Sequence, residues 1–107
     1  MRTPLLLACA LFFASSIGSV YSAETIVTQK DKKFSIAALK VKVGDTVTFR
    51  NDDPFFHNIF SLSDVQAFDL GSFPKGDSKK IMFTKEGKVE VECAIHPDMK
   101  LVIDVAK

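Results

Sequence analysis

The chain has 107 residues, with 14 Lys plus Arg against 13 Asp plus Glu, which leaves room for one domain and no more. The near-balanced charge excludes the basic excess that a nucleic-acid or anionic-membrane partner would call for. No stretch repeats and none is low in complexity, which excludes repeat and linker architectures.

The chain opens with Met1 and Arg2, then the apolar run Leu5 to Ala14, then the small-residue stretch Ser15 to Ala23. A positive start, a short apolar core and small residues before a cut describe a secretory signal peptide. The apolar run is too short for a membrane helix, which needs about 20 residues. Leu6-Leu7-Ala8-Cys9 loosely resembles a lipoprotein cleavage site, but too few apolar residues precede it to form a signal core. Residues 1–23 are therefore expected to be removed, with a cut after Ala23, or alternatively after Ser22. The expected destination is the periplasm.

The remaining 84 residues (107 less 23) carry 13 basic and 13 acidic side chains, a formal net charge of zero. They keep one cysteine, Cys93. An exported domain with a lone thiol can form no internal disulfide, although its compartment favours them. Domains this small often need a disulfide or a metal as a staple, and a metal would also occupy the thiol.

The mature region reads as all-β. Glu24 to Lys30 and Lys33 to Ile36 are expected as short strands around a Lys-Asp-Lys turn. Lys30, Lys32 and Lys33 fit a solvated strand edge. Leu39, Val41 and Val43 alternate with lysines, the period-2 signal of a half-buried strand. Gly44-Asp45 marks a turn, and Thr46 to Arg50 alternates again with Val47 and Phe49 inward. Asn51-Asp52-Asp53-Pro54 is a run of turn formers that ends this strand. Phe55 to Leu62 is the next apolar run.

Ser63 to Lys80, with Gly71, Pro74 and Gly76, reads as mostly loop, with one helical turn near Asp64 to Phe68. Lys80 to Thr84 and Lys88 to Cys93 flank Lys85-Glu86-Gly87 and resemble a hairpin. Leu101, Ile103 and Val105 alternate in a closing strand. About seven short strands imply a β-sandwich or barrel in one domain, residues 24–107.

Chemistry concentrates in Cys93-Ala94-Ile95-His96-Pro97-Asp98-Met99. This segment sets a thiolate, an imidazole and a thioether three residues apart, in a tight loop between two expected strands. Two His and one Cys with a weak axial Met form the donor set of a blue-copper electron-transfer site. The only other histidine is His57, at the start of its strand.

Each residue also has an ordinary role. A His beside Phe55 and Phe56 can pack, a lone Cys can be a small buried hydrophobe, and a loop Met can fill a gap. Zinc sites use Cys, His and carboxylates rather than thioethers. A Cys-His hydrolase would have no need of Met99, and no orienting partner for it is evident. Copper held by His57, Cys93, His96 and Met99 uses every one of these residues.

The sequence resembles the cupredoxins, and among them the small plastocyanin, pseudoazurin and amicyanin group, from about Ile36 to the C-terminus. Val41-Lys42-Val43-Gly44-Asp45-Thr46-Val47-Thr48-Phe49 matches the family's pattern before its first ligand. His57-Asn58 matches its His-Asn pair, and Cys93-x-x-His96-x-x-Met99 matches the short ligand loop of the amicyanin type. The chain departs from its relatives at Phe56, where they often have Pro, and at Glu92, where an aromatic residue is common. Neither position is a ligand, so the departures bear on partner choice.

The resemblance implies a Greek-key sandwich holding one type 1 copper ion. Cys93 would be the dominant ligand, His57 the buried histidine, His96 the exposed one through which electrons pass, and Met99 the axial ligand. The Asn58 side chain would tie the two ligand loops together. Pro97 with Pro54, Phe55 or Phe56 would form an apolar docking patch. The protein would be a monomeric electron carrier rather than an enzyme, with no membrane span once processed. Its partners would be redox proteins such as a cytochrome c or a periplasmic dehydrogenase or oxidase. The alternative on the same fold is a copper storage or delivery protein.

Overall fold

Nine strands and no helix are found among residues 23–107, which the computed structural model describes. Apart from Ala23, the expected leader lies outside the described residues. The strands are β1 (Glu24–Lys30), β2 (Lys33–Phe34), β3 (Ala38–Lys42), β4 (Thr46–Asn51), β5 (His57–Ser61), β6 (Phe68–Phe73), β7 (Ser78–Met82), β8 (Gly87–Cys93) and β9 (Lys100–Ala106). They form two sheets, ordered β2-β1-β4-β7 and β3-β9-β8-β5-β6.

The alternation of side chains decides which face each strand buries. On β4, Val47 and Phe49 point inward and are fully buried, and Asn51 ends the same row. β1 runs parallel beside it, with Val27 opposite Phe49 and Gln29 opposite Asn51. The second sheet answers with Val89, Val91 and Cys93 from β8, Leu101, Ile103 and Val105 from β9, and Ile59 from β5. The inner faces are thus apolar through most of the sandwich and become polar at one end, where Gln29, Asn51 and His57 are all buried.

Magnitudes show what holds the layers together. Burying a Phe, Leu or Ile side chain is worth about 1.5–3 kcal/mol each, and Phe49, Phe73, Phe83, Ile59, Leu101 and Ile103 are all fully buried. The ion pairs Arg50–Asp52 (3.0 Å) and Lys80–Glu24 (3.9 Å) are solvent-exposed, and such pairs contribute about 0–1 kcal/mol. The core dominates.

Four expectations are corrected. Phe68–Phe73, read as loop, is an edge strand paired with β5, and Asp64-Val65 make a turn, not a helix. β7 and β8 do not form a hairpin: β7 pairs with β4 in one sheet, and β8 pairs with β9 and β5 in the other. The connection between them crosses from one sheet to the other and brings Phe83 and Val89 into the same core. The third strand ends at Lys42, and Val43 is exposed as it enters the Gly44-Asp45 turn.

Candidate metal centre

The site is set by the register of β5 against β8. Ile59 is opposite Cys93 in this antiparallel pair, so His57, on the same inward face two residues earlier, reaches over the end of β8. Cys93 is the last residue of β8 and Lys100 the first of β9, which confines Ala94 to Met99 to a tight loop at the same end of the sandwich. The Met99 N–H donates to the His96 carbonyl at 2.9 Å, closing a turn that brings the loop back into β9.

His57 Nδ1 lies 3.5 Å from Cys93 Sγ, and His96 Nδ1 lies 3.9 Å from the same sulfur. One donor atom from each of His57, Cys93 and His96 falls within 4.8 Å of the others. His57 is fully buried, Cys93 is a buried free thiol, and His96 is half-exposed at the surface. Met99 is buried in the same apolar cluster as Cys93. A soft sulfur with two imidazole nitrogens fits copper by ligand type, and the buried thioether at the end of the loop is the remaining soft donor.

Backbone groups tie the loops together. The Asn58 N–H donates to Cys93 Sγ at 3.5 Å, and the Ala94 N–H donates to the Asn58 carbonyl at 3.3 Å. The sequence reading gave this tie to the Asn58 side chain; among the described residues it runs through the Asn58 backbone instead. A donor aimed at the sulfur stabilises a thiolate there.

The far side of His57 is held by a residue that sequence reasoning missed. His57 Nε2 lies 2.7 Å from Asp53 Oδ2, and both side chains are buried. The same carboxylate accepts the N–H groups of Asp31 (2.6 Å) and Lys32 (3.1 Å). Burial pushes the Asp53 carboxyl up, but hydrogen bonds from His57, Lys32 and Asp31, with the charge of His57, outweigh it and hold it below the usual carboxylate range. With Nε2 held against Asp53, the ring turns its Nδ1 toward Cys93 Sγ.

Asn51 fixes the loop that carries Asp53. Its Oδ1 accepts the Asp53 N–H at 2.8 Å, and its Nδ2 donates to the carbonyls of Phe55 (2.7 Å) and Phe73 (2.9 Å). Phe55 is half-buried and packs on both imidazoles, with ring centroids 5.4 Å from His57 and 5.1 Å from His96. Phe56 points outward and is about half exposed, as is Ile95. Of the apolar residues expected in a docking patch, Phe55 therefore serves the site, while Phe56 and Pro97 face solvent.

His96 shares a shallow groove with Asp31, Lys32, Lys33, Ile95, Pro97 and Asp98. Partial burial pulls its imidazole below the usual histidine range; His57 and Lys32 push the same way, and Asp53 opposes them.

Comparison with known proteins gives the family. Residues 21–106 match the family model for copper-binding proteins of the plastocyanin/azurin family. The chain belongs to that family. It is 36% identical over 69 residues to the methylamine utilization protein MauL of Methylorubrum extorquens, covering 64% of this chain and 60% of that protein. It is 32% identical over 71 residues to amicyanin of Paracoccus denitrificans, covering 64% of this chain and 54% of that one. The matched region thus spans a little over half the length of these curated relatives.

Solved structures agree on the cupredoxin sandwich. A purple cupredoxin from Nitrosopumilus maritimus superposes with a TM-score of 0.68 at 26% identity, over 77% of this chain and 99% of that one. The Cu(I) form of an amicyanin variant gives 0.70 at 29% identity, over 77% and 81%. The cofactor of this family is copper, and the donor set of this chain suits it.

Proposed function

We propose that this cupredoxin is a one-electron carrier whose copper is held by His57, Cys93, His96 and Met99. The observation that carries the reading is the pairing of one fully buried and one surface imidazole on a single buried thiol. When bound, copper supplies a couple between Cu(I) and Cu(II).

The chain's own groups make that couple fast and contained. His57 is held by Asp53 at Nε2 and by the edge-on packing of Phe55 against its ring, so it keeps one orientation in both oxidation states. Asn58 N–H holds the sulfur in place. The apolar core beneath Cys93 and Met99 excludes water from the thiolate. Of the four ligands, His96 alone reaches the surface, so an electron enters and leaves at its ring edge beside Ile95 and Pro97.

The same reading has the leader at residues 1–23 export the protein to the periplasm, where it works as a monomer with redox proteins such as a cytochrome c or a dehydrogenase or oxidase. It performs no substrate turnover of its own. No helix among the described residues is long and apolar enough to cross a membrane. The test is voltammetry of purified protein loaded with copper. A reversible one-electron wave that survives repeated cycling supports carriage. Colourless Cu(I) binding with no reversible wave would favour storage or delivery instead.

A further inference from the structure

The buried carboxylate of Asp53 lies outside the ligand set yet touches it directly. It lies in the run Asn51-Asp52-Asp53-Pro54, yet the two adjacent acids are used in opposite ways. Asp52 makes a surface pair with Arg50, while Asp53 is 2% exposed and accepts three N–H groups. Burying a carboxylate is costly unless it is fully hydrogen-bonded, so its retention beside His57 points to a use.

Two features define that use. The first is orientation: an acceptor 2.7 Å from Nε2 fixes which ring nitrogen bears the proton and leaves Nδ1 facing Cys93 Sγ. The second is charge. Asp53 is an anion separated from the donor cluster by a single imidazole, in a region where little water screens it. A fixed negative charge there favours the more positive oxidation state of a metal on Nδ1.

The carboxylate also reaches outward. Asp31 and Lys32, whose N–H groups it accepts, are non-glycine residues with φ of 56° and 60°. Residues in that left-handed region cost energy unless something holds them. Asp53 is what holds them, and it thereby sets the β1–β2 turn whose Lys32 ammonium lies 6.0 Å from the Phe55 ring and shares the His96 groove.

We propose that Asp53 is a positioning residue that fixes the His57 ring with Nδ1 toward the metal and, through its buried negative charge, lowers the reduction potential of the bound copper. This rests on the copper reading above. The experiment is arranged so that the two can fail separately.

The first arm uses the metal-free protein. Nitrogen-15 NMR of the histidine rings should show the His57 proton on Nε2, shifted downfield by its carboxylate bond, in wild type and in Asp53→Glu. A proton on Nδ1 of the neutral ring in wild type would overturn the positioning claim, whatever any variant does.

The second arm uses copper-loaded protein. Asp53→Asn retains an acceptor and the side-chain volume but removes the charge, so it should keep the metal and raise the potential. The expected change is about tenfold in the Cu(II)/Cu(I) equilibrium, or ~59 mV for one electron. Asp53→Glu should restore a value near wild type. An unchanged potential in folded Asp53→Asn, or equal rises in both variants, would overturn the charge claim. Failure of wild type to bind copper would sink the functional reading while leaving the first arm intact.

Discussion

Cys93 and Ile59 stand opposite each other across β8 and β5, and this pairing decides where the chemistry goes. It places His57 over the end of β8 and leaves the loop from Ala94 to Met99 to return His96 and Met99 to the same corner. A slip of β5 by one residue against β8 would turn His57 outward, away from Cys93. The site is therefore as stable as the β5–β8 pairing beneath it.

In the proposed ligand set, Met99 would have two roles that can be measured apart, one at the metal and one in the core. An axial thioether is weakly bound and tunes potential more than affinity. Met99→Gln should keep the metal and lower the potential, because an oxygen donor favours Cu(II). Met99→Ala removes a fully buried side chain and should also cost about 2–5 kcal/mol of stability. Voltammetry with urea unfolding separates the two effects, and an unchanged potential in Met99→Gln would make Met99 a core residue only.

Gly87 tests the sheet crossing between β7 and β8. Its φ is +138°, and a Cβ there would lie 2.7 Å from Val65 Cγ2. Gly87→Ala should destabilise the fold by about 1–3 kcal/mol, read as a lower urea midpoint with an unchanged slope. Adding Val65→Ala should relieve the clash but not the backbone strain, so only part of the loss should return.

Asp45 supplies a pH dependence. The N–H groups of Ala23 and Lys42 donate to its carboxylate at 3.0 and 2.9 Å. These two bonds, Ala23 first, hold it below the usual carboxylate range against a smaller opposing effect of burial, with a further small pull from the Lys42 charge. A carboxyl depressed in the folded state contributes stability that is present above its unfolded pKa, about 4. That contribution is lost as pH falls through the lower folded value. In protein that keeps Ala23, Asp45→Asn should therefore flatten the acid side of the stability–pH curve and leave the change above pH 6 independent of pH. In protein cut after Ala23 only the Lys42 bond remains, and the flattening should be smaller. Parallel curves for the two proteins would contradict this.

Copper itself should stabilise the domain, since the donor cluster exists only in the folded chain. Metal at a hundredfold excess over its Kd adds about 2.7 kcal/mol, and a domain of this size gains roughly 4–8 °C in Tm per kcal/mol. Calorimetry of metal-free and loaded protein should show that rise. Equal Tm values at saturating copper would refute it.

Much of this was readable in the sequence where the signal was local. Val47 and Phe49 declared their inward faces by alternation, and Cys93-x-x-His96-x-x-Met99 carried three donors in a single loop. The β1–β2 turn was visible in Lys-Asp-Lys for the same reason. What depended on tertiary placement was not readable. Gly71 has a positive φ and interrupts the apolar pattern of Phe68–Phe73, which hid an edge strand. Lys85-Glu86-Gly87 has the composition of a hairpin turn, but the strands on its two sides belong to different sheets and share only the core, through Phe83 and Val89. Asp53 sat among turn formers, four residues from His57. That spacing means nothing in a strand, and only the fold around Asn51 turns it inward while Asp52 stays at the surface.

The measurement that bears most directly on the central claim is a spectrophotometric titration of the purified, metal-free protein with Cu(II), with Cys93→Ser alongside. The account predicts intense visible absorption from thiolate-to-copper charge transfer, saturating at one ion per chain and absent or nearly so in Cys93→Ser. A wild-type protein that stays colourless at saturation, or a Cys93→Ser variant with full colour, would contradict it.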